Sequence, residues 1–482
     1  CEDACTRGLM DEPIRIRAIK RFVIETAERE GWTPRILNAR AEKNGRPVAV
    51  LGSGPAGLAC AYDLARAGYR VTVFEAEDRL GGMLTSGIPA FRIRPEDVEK
   101  EIEVIRGLGV TFQTGTRLGS DVTLPGLRDQ GFEAVFVGIG AQAGSELGVP
   151  GEDLDGCVTA VDFLHAVSKG ESPRVGRRVA VVGGGYSAMD AARTVLRLGA
   201  DEVYVLYRRT RDEMPATGDE IEEAEEEGVK VMYLVAPQEI LGEERVEGIR
   251  LLNYVLGEAD ESARRRPREV PGTEFNLAVD MVVSAIGQKV RLDQGMDIEM
   301  TPRYTIGVDE QSGATNVHGV YAGGDCARGP SSIIAAIADG KRAAAAIDRD
   351  LAGEDNALLL PDAEKVMSDK DKVLERTGNR PRRKRIPLAK RDAGERRSDF
   401  DEYLPTLTTE QAVEEASRCL ACGCGAGCET CKHICKMFAW HMDPQGRVML
   451  DEDKCVACGM CIHRCPNRNI EMVQTGTENL TT

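Results

Sequence analysis

Several features that would point to particular classes of protein are scarce or missing in this sequence of 482 residues. No apolar run approaches the length of a membrane-spanning helix, which argues against a transmembrane role. The chain opens with Cys1, and no charged and apolar regions of a signal peptide follow, so we expect it to begin inside a longer polypeptide or after a processing site. Acidic residues outnumber basic ones by 79 to 62, and the net charge of -17 argues against a nucleic-acid partner.

The fifteen cysteines are unevenly distributed, and their placement indicates metal binding rather than disulfide bonding. Ten of them lie between positions 419 and 465. Dispersed pairs are typical of disulfides in secreted proteins, whereas this clustering indicates metal ligands in a reducing compartment. We therefore predict a cytoplasmic protein. The isolated Cys60, Cys157 and Cys326 are interpreted as small, buried apolar residues.

Two stretches have the pattern of a strand, a glycine-rich turn and a helix that opens a dinucleotide-binding fold. In the first, the apolar stretch 48–51 precedes the turn Gly52-Ser-Gly-Pro-Ala-Gly57 and a helix. Its glycines permit a tight turn, close approach of the backbone to a pyrophosphate, and close packing of helix and strand. A carboxylate at the end of the next strand can accept hydrogen bonds from both ribose hydroxyls. The predicted dinucleotide-binding residues are Gly52, Gly54, Pro55, Ala56, Gly57 and Glu75.

The second stretch begins at Arg178 and has an alanine, which is permitted, at the third glycine position of its turn. The strand after it ends without the carboxylate that the ribose of NAD would need, and two arginines follow. Guanidinium groups bind phosphate bidentately, so the pair favours the 2′-phosphate of NADP over NAD, although two surface arginines at a strand end would look the same. The predicted residues are Gly183, Gly185, Tyr186, Ser187, Arg208 and Arg209.

The far end of the sequence indicates which dinucleotide belongs to the first site. Gly319-Val-Tyr-Ala-Gly-Gly-Asp325 is an apolar strand that ends in Gly-Gly-Asp and precedes a helix. On this motif the sequence resembles flavoproteins with two dinucleotide-binding domains, in which the aspartate binds the ribityl chain of the flavin. The resemblance assigns that role to Asp325 and assigns FAD to the first site, with the second unit inserted. Disulfide reductases of this fold carry a cysteine pair beside the flavin, but the matching stretch Gly81–Pro89 has no cysteine. We expect Gly82 and Met83 of this stretch to contact the cofactor.

No side chain is predicted to be catalytic. Transfer of a hydride between a nicotinamide and a flavin is chemistry of the cofactors, and the protein supplies orientation and a dry site. We find no convincing Ser-His-Asp set and no pair of carboxylates arranged for acid–base catalysis.

The cysteine-rich end has the spacing of a bacterial ferredoxin. In the run Cys455-x2-Cys458-x2-Cys461-x3-Cys465-Pro466, three thiolates hold one 4Fe–4S cluster and the fourth reaches the other. The upstream run supplies the matching half with one inserted residue, and a zinc site would usually need only two cysteine pairs. We predict one cluster on Cys424, Cys428, Cys431 and Cys465, and a second on Cys435, Cys455, Cys458 and Cys461.

Further motifs narrow the resemblance to one family. The motifs are Cys1-Glu-x2-Cys5, Leu147-Gly-Val-Pro-Gly-Glu152, Met189-Asp-Ala-Ala192, Tyr207–Pro215 and Ala322–Cys326. They are similar to those of the small (beta) subunit of NADPH-dependent glutamate synthase and its relatives. The relatives include the large subunit of NADH-dependent ferredoxin:NADP oxidoreductase and the flavin half of dihydropyrimidine dehydrogenase.

The chain departs from that family in the placement of two cysteine pairs. Family members have an N-terminal domain with two 4Fe–4S clusters, which an Arg-Cys-Leu-x-Cys motif opens and a Cys-x3-Cys pair closes. Here only the closing pair, Cys1 and Cys5, is N-terminal, whereas the motif with Cys419 and Cys422 lies near the other end. Two alternatives are open: the N-terminal pair is a remnant with partners upstream, or the four cysteines hold a third cluster.

Two charged segments lie outside these motifs. Asp219–Glu227 is strongly acidic and is interpreted as the solvated face of a helix. Residues 380–397 carry nine arginines and lysines against two acids, with two prolines interrupting, which predicts an exposed, irregular strap. The strap is either a solvated linker or a docking strip for an acidic partner.

The predicted fold class is α/β, with two tandem Rossmann-like dinucleotide-binding domains, the NAD(P) domain inserted in the FAD domain, and a small α+β bacterial ferredoxin-like domain. We assign residues 1–45 to a remnant of an N-terminal helical iron–sulfur domain, and residues 46–170 with 291–352 to the FAD-binding domain. The NAD(P)-binding domain comprises residues 171–290. A linker strap, residues 353–410, leads to the ferredoxin-like domain of residues 411–482.

These predictions describe a flavin-dependent NAD(P)H oxidoreductase subunit that moves electrons between NAD(P)H, FAD and 4Fe–4S clusters. We expect a ferredoxin or another redox subunit as the partner in a hetero-oligomer, and the resemblance is compatible with an electron-bifurcating complex. One alternative is an electron-wiring subunit without nicotinamide turnover, because Tyr186 and Ser187 stand where relatives have Asn and Val. Another is a stand-alone reductase of a small molecule.

Overall fold

The computed structural model of the chain describes residues 2, 4–32, 45–259, 265–292, 297–353, 370, 371, 374, 381–420, 430–442, 448–464 and 470. The chain forms two compact units. The core unit, as we call it, comprises Ile36–Pro361 and Arg391–Tyr403. The terminal unit comprises Cys1–Arg35, Asp362–Lys390 and Leu404–Thr482.

The helices and strands of the described residues follow in chain order. The helices are α1 (Ile16–Arg29), α2 (Pro55–Arg66), α3 (Met83–Ser86), α4 (Pro95–Gly107), α5 (Leu124–Asp129), α6 (Ala160–Ser168), α7 (Tyr186–Arg197), α8 (Gly218–Glu226), α9 (Asp325–Arg328), α10 (Ile333–Ala352), α11 (Ala393–Arg396), α12 (Thr409–Ser417), α13 (Thr430–Ile434) and α14 (Met460–Arg464). The strands are β1 (Pro47–Leu51), β2 (Arg70–Phe74), β3 (Thr111–Gln113), β4 (Ala134–Val137), β5 (Ala143–Gly144), β6 (Cys157–Thr159), β7 (Arg178–Val182), β8 (Glu202–Tyr207), β9 (Lys230–Tyr233), β10 (Val235–Leu241), β11 (Gly248–Ala259), β12 (Arg265–Glu269), β13 (Phe275–Leu277), β14 (Met281–Ser284), β15 (Gln288–Lys289), β16 (Val320–Ala322), β17 (Trp440–Met442) and β18 (Val448–Leu450).

The first sheet of the core unit is parallel and is completed by a strand from late in the sequence. Its order is β16-β4-β1-β2-β3. Successive side chains of a strand point to opposite faces, and helices cover both faces of a parallel sheet. Accordingly, Val48 and Val50 are buried in a cluster with residues of α2 and α10, whereas Ala49 and Leu51 belong to a cluster on the other face.

The second sheet is also parallel and lies between the two parts of the first in the sequence. Its order is β6-β14-β7-β8-β9. Val179 and Val181 pack with residues of α7, and Ala180 and Val182 pack with the antiparallel strands β10, β11 and β13. This arrangement confirms the predicted fold class, in which one Rossmann-like unit is inserted in another.

Two features of the insertion were not predicted. Strands β10 to β13 form an antiparallel sheet, which the sequence analysis missed. Strand β6 lies at the edge of the second sheet, although its residues fall in the range that we assigned to the FAD-binding domain. The two chain crossings between the parallel sheets pair with each other, since Ala143 and Gly144 of β5 lie opposite Lys289 and Gln288 of β15.

The terminal unit brings the start and the end of the described chain together. Helix α1 contacts α12, helix α13 contacts α14, and β17 and β18 form an antiparallel hairpin. The hairpin and the two short helices α13 and α14 agree with the predicted α+β ferredoxin-like domain. Among the described helices, none combines the length and the apolar character that are needed to cross a membrane.

Candidate functional site

The glycine-rich turn after β1 leads into helix α2 at the carboxyl end of the first sheet. Gly52 has a φ of +95°, and a Cβ atom there would lie 2.5 Å from the carbonyl oxygen of Gly138. Gly57 approaches the same turn so closely that a Cβ atom would lie 1.9 Å from the carbonyl oxygen of Gly52. The packing of the protein itself therefore requires glycine at both positions.

Gly54 differs from these two glycines, because nothing in the described protein requires it. Its φ is −68°, which any residue adopts, and a Cβ atom there would meet no atom within 4 Å. It is the N-cap residue of α2 and is followed by Pro55 and Ala56 at the start of the helix. Unpaired N–H groups at a helix start attract a phosphate, and a bare backbone lets a pyrophosphate come close. The turn therefore fits a dinucleotide.

Glu75 lies at the end of β2 and braces this turn. One of its carboxylate oxygens accepts hydrogen bonds from the backbone N–H and the hydroxyl of Ser53, at 2.8 and 2.5 Å. The other oxygen accepts a hydrogen bond from the backbone N–H of Glu77 at 2.9 Å. The sequence analysis missed the contact with Ser53. Since each carboxylate oxygen can accept more than one hydrogen bond, the predicted contact with a ribose is compatible with this arrangement.

The segment after β2 lies against the same turn. The backbone N–H of Gly81 donates a hydrogen bond to the Ser53 hydroxyl at 3.0 Å. Gly82 has a φ of +54°, and a Cβ atom there would lie 2.9 Å from the Cα atom of Gly54. Met83 follows as the first residue of α3. The structure thus brings Gly82 and Met83 to the first glycine turn, and their contact with a flavin stays a prediction.

Asp325 opens α9 directly after β16, at the carboxyl end of the first sheet. Its half-buried carboxylate accepts a hydrogen bond from the backbone N–H of Ser331 at 3.2 Å, and burial raises the pKa of the carboxyl group. Asp339 on α10 holds the preceding turn, because its carboxylate accepts hydrogen bonds from the backbone N–H of Gly324 and from the guanidinium of Arg328. The sequence analysis missed Asp339, which belongs to no motif.

The second glycine-rich turn has the same division of roles between its glycines. Gly183 has a φ of +147°, and a Cβ atom there would lie 2.3 Å from the carbonyl oxygen of Ala285. Gly185, the N-cap residue of α7, has a φ of −96°, and a Cβ atom added there would meet no atom within 4 Å. Tyr186, which is 48% exposed, and the half-buried Ser187 begin the helix. This turn therefore also fits a pyrophosphate.

The two predicted phosphate-binding arginines have different surroundings. Arg208 is exposed directly after β8, at the carboxyl end of the second sheet. Arg209 is buried, and its Nε atom donates a hydrogen bond to the backbone carbonyl of Arg265 at 2.8 Å. Arg208 is therefore the better placed of the two to contact a phosphate, and the sequence alone could not separate them.

Five of the predicted cluster ligands lie among the described residues of the terminal unit: Cys431, Cys435, Cys455, Cys458 and Cys461. The backbone N–H of Ala439 donates to Cys435 Sγ at 3.4 Å, and such backbone contacts lower the pKa of this thiol. Cys424, Cys428 and Cys465 lie outside the described residues. Within the described part of the chain, no three histidine, cysteine or acidic side chains form a group that could share a metal ion, so the two ligand sets stay predictions.

The terminal unit brings the segments that carry Cys5 and Cys419, one cysteine from each unassigned pair, into contact. Arg7, two residues after Cys5, donates a hydrogen bond from Nη1 to the backbone carbonyl of Arg418, which directly precedes Cys419. Arg418 in turn donates to the backbone carbonyl of Glu12 at 2.7 Å. Cys1 and Cys422 lie outside the described residues.

The remaining cysteines differ in burial. Cys60 and Cys326 are fully buried, as predicted, whereas Cys157 is half-buried. Burial raises the pKa of Cys157 and of Cys326 to about 11, so both thiols are protonated at neutral pH.

Two predictions about charged segments hold only in part, because most described residues of 381–397 are exposed as predicted but some charged side chains in both segments are buried. Three acidic side chains of the segment Asp219–Glu227 are buried rather than solvated: Glu220, Glu223 and Glu227. The strap is not uniformly exposed, because Arg396 is 1% exposed and its Nε atom donates to Glu227 at 2.9 Å. Ion pairing explains both differences, since buried charges are tolerated when opposite charges and hydrogen bonds surround them.

Comparison with known proteins agrees with this geometry. Residues 46–340 match the family described as pyridine nucleotide-disulphide oxidoreductase, and residues 448–471 match the 4Fe-4S binding domain. FprA from Mycobacterium tuberculosis has a similar fold, with a TM-score of 0.58 and 22% sequence identity over 69% of this chain and 89% of that chain.

Three curated relatives are similar over most of the chain. The beta subunit of the NADP(+)-dependent formate dehydrogenase of Moorella thermoacetica is 42% identical over 88% of this chain and 63% of its own length. The beta subunit of the NADPH-Fe(3+) oxidoreductase of Geobacter sulfurreducens is 37% identical over 88% of this chain and 68% of its own length. The small chain of the NADPH glutamate synthase of Azospirillum brasilense is 36% identical over 69% and 72%. The chain thus spans about two thirds of the length of these relatives.

Proposed function

Because this chain belongs to the pyridine nucleotide-disulphide oxidoreductase family, with relatives among the glutamate synthase small chains, we propose that it is a flavin-dependent NADPH oxidoreductase subunit. The family fold binds FAD and NADP, and the matched C-terminal domain binds a 4Fe–4S cluster. In this proposal electrons move between NADPH, FAD and the clusters, and then to or from a ferredoxin or a partner subunit.

The observation that carries the proposal is the pair of glycines that the protein does not itself need. Gly54 and Gly185 are each the N-cap of a helix that starts at the carboxyl end of a parallel sheet, and each would tolerate a Cβ atom if no ligand were to bind. Two such positions in one core unit support two dinucleotides, as hydride exchange between a nicotinamide and a flavin requires.

The two sites differ in the group that would recognise the adenosine ribose. In the first, the Glu75 carboxylate favours unmodified ribose hydroxyls, which suits FAD. In the second, the exposed guanidinium of Arg208 favours a 2′-phosphate, which suits NADP. When bound, the flavin supplies the conversion between a hydride and single electrons. The roles of the chain's residues are to bind, to orient and to exclude water.

The partner belongs to the same proposal. The formate dehydrogenase and Fe(3+) oxidoreductase relatives are named as beta subunits, which supports a role as one subunit of a larger enzyme. The chemistry of a ferredoxin-like domain supports a one-electron donor or acceptor as that partner. A cytoplasmic location and the domain boundaries given above remain part of the proposal.

Anaerobic titration of the purified protein with NADPH tests the proposed function. We expect NADPH to bleach the flavin absorbance and then to change the visible absorbance of the iron–sulfur clusters, with NADH much slower. Absence of flavin bleaching with both nucleotides would favour the electron-wiring alternative and overturn the proposal. Turnover of the isolated chain with a small acceptor would instead support a stand-alone reductase.

We further propose that Cys5 and Cys419, with Cys1 and Cys422, hold a third 4Fe–4S cluster. The support is the hydrogen bond from Arg7 to the Arg418 carbonyl, which ties the two cysteine-bearing segments together. Iron analysis of the reconstituted protein should give about twelve irons per chain, because each cluster holds four. C5S and C419S should each lose about four irons, whereas C157S, a control outside the terminal unit, should lose none. A parent value of about eight would exclude the third cluster.

A further inference from the structure

One segment of the core unit contacts the first glycine-rich turn at one end and, at the other end, α7, the helix that follows the second glycine-rich turn. This segment, residues 81–94, runs from the end of the loop after β2 to the start of α4. At its first end, Gly81 donates a hydrogen bond to Ser53, and Gly82 abuts Gly54, both in the first turn. Its second end carries Phe91 and Arg92, which contact α7 and α8 of the inserted unit. The segment therefore connects the first glycine turn with α7, the helix that follows the second glycine turn.

Arg92 makes the polar part of the contact with the inserted unit. Its Nη1 atom donates a hydrogen bond to Asp190 on α7 at 2.6 Å, and its Nη2 atom donates to Glu220 on α8. Asp190 is four residues beyond Tyr186, the first residue of α7, so it lies about 6 Å along the helix from the second glycine turn. About one turn of helix thus separates the Arg92 contact from the second glycine turn.

Phe91 makes the apolar part of the contact. Its side chain is 1% exposed. The guanidinium carbons of Arg193 and Arg197, both on α7, lie 4.9 and 3.9 Å from its ring centroid. These distances are typical of cation–π contacts. Phe91 and Arg92 therefore hold the same helix from adjacent positions.

The segment Arg391–Tyr403 of the core unit also packs against Phe91 and α8. Tyr403 lies 6.2 Å from Phe91 between ring centroids and donates a hydrogen bond to Glu223 at 2.6 Å. Arg396 donates one hydrogen bond to Glu227 at 2.9 Å, and Glu227 also accepts hydrogen bonds from Arg193 at 2.7 and 3.0 Å. The charged groups around Phe91 are thus hydrogen-bonded to one another within α7, α8 and the segment Arg391–Tyr403.

The carboxylates that Arg92 contacts depend on it. Asp190 and Glu220 are 5% and 7% exposed, and burial raises the pKa of both carboxyl groups. Of the other charges that act on them, Arg193 favours an ionised Asp190, whereas Glu223 opposes an ionised Glu220. Without Arg92, two buried carboxyl groups would face each other, so they would repel or take up a proton, and the segment would lose its hold on α7.

We propose that Arg92 is a positioning residue for electron transfer, which sets the orientation of helix α7 and the second glycine turn relative to the first. The proposal rests on the proposed function, because the orientation matters only if a nicotinamide and a flavin react across these turns. Arg92 would affect the rate of hydride transfer far more than the binding of either nucleotide, since it contacts helices behind the turns rather than the turns themselves. Small displacements of reacting groups change rates strongly.

The holoprotein variants R92Q and R92K test this proposal. In R92Q we expect the rate of flavin reduction by saturating NADPH to fall by about tenfold to a hundredfold, with the dissociation constant for NADPH changed by no more than about twofold. R92K should recover part of the rate, because an ammonium restores the charge without the bidentate geometry. The control R250Q removes the arginine that pairs with Glu239 inside the antiparallel sheet, and it should leave both quantities unchanged.

Two further measurements separate positioning from general destabilisation. Hydrogen exchange of the α7 and α8 amides, measured without nucleotide, should be faster in R92Q than in the parent and unchanged in R250Q. The triple variant R92M/D190N/E220Q removes the stranded carboxylates, so it should regain thermal stability without regaining the rate. The proposal is overturned if R92Q reduces its flavin at the parental rate, or if the triple variant recovers the rate together with stability.

Failure of the proposed function would look different. In that case the parent itself would show no flavin reduction by NADPH or NADH, whereas the hydrogen-exchange comparison would still report whether Arg92 holds α7. Unchanged exchange of α7 in R92Q would count against the positioning role whichever nucleotide the protein uses.

Discussion

Arg7 and Arg418 lie 411 positions apart in the chain, and Nη1 of Arg7 donates a 3.2 Å hydrogen bond to the backbone carbonyl of Arg418. The guanidinium of Arg418 is 1% exposed and contacts Glu415 at 2.7 Å and Asp11 at 3.2 Å. The acidic partners come from α12 and from the segment before α1. The start of the chain and the region before the ferredoxin-like motif are therefore parts of one folded unit.

This network predicts that the terminal unit is sensitive to loss of a single charge. Substitution R418A would leave Glu415, which is fully buried, without its cation, and we expect the free energy of unfolding of the unit to fall by about 3–5 kcal/mol. Urea unfolding followed by hydrogen exchange of the α1 amides would measure it. The matched control is R382A, which removes an exposed arginine of the same unit and should change the free energy of unfolding by less than about 0.5 kcal/mol. Equal effects of the two substitutions would contradict the prediction that the Arg418 network stabilises the terminal unit.

The glycines of the first turn should respond to substitution in two different ways. G57A would place a methyl group 1.9 Å from the Gly52 carbonyl oxygen, so we expect poor folding. G54A meets no protein atom and should fold with a loss of no more than about 1 kcal/mol as an N-cap change, yet it should lose FAD. Thermal unfolding and flavin content after purification separate the two. A G54A protein with a full complement of FAD would show that the pyrophosphate lies elsewhere.

The second turn offers the equivalent experiment on nicotinamide binding. G185A should keep its FAD and its stability, because a Cβ atom there also meets no protein atom within 4 Å. Its dissociation constant for NADPH should rise by about tenfold or more, since the methyl group would hold the pyrophosphate away from the N–H groups of α7. Calorimetric titration measures this. Unchanged affinity would argue against the predicted site.

Arg208 should decide between the two nicotinamide nucleotides. R208A would remove a charge-assisted contact to a 2′-phosphate, so we expect NADPH to bind about tenfold to a hundredfold more weakly and NADH to bind unchanged. R178A, an exposed arginine at the opposite end of the parallel strand β7, is the control and should affect neither nucleotide. Equal loss of affinity for both nucleotides in R208A would contradict recognition of the phosphate.

Cys157 should be slow to react with iodoacetamide in the folded protein. Burial, followed by the charges of Glu152 and Asp153, raises its pKa from about 9 to about 11, so its thiolate fraction at pH 8 is about a hundredfold below that of an ordinary thiol. Since the folded pKa lies above the unfolded one, the protonated thiol favours the fold, and this contribution is lost as the pH rises from 9 towards 11. Mass spectrometry of peptides alkylated at several pH values would measure the rate, with the urea-unfolded protein as the reference. A rate that levels off near pH 9 would contradict the shift.

The sequence alone determined the features whose signals are local. The two glycine turns, the strands before them and the strand that precedes Asp325 were predictable, because periodicity and turn chemistry act over a few neighbouring residues. The insertion of one unit in the other followed from the order of these motifs. The ferredoxin spacing was visible for the same reason, since three thiolates on a short loop hold one cluster.

The tertiary structure alone decided which charges are buried and which distant residues meet. Glu223, Glu227 and Arg396 lie in charged stretches of sequence that are typical of a solvated surface. Their burial depends on partners that are far away in the chain. The same is true of Arg92 with Asp190, and of Arg7 with Arg418. A lone charge is expected at the surface because desolvation is costly, and only the fold shows where an opposite charge offsets that cost.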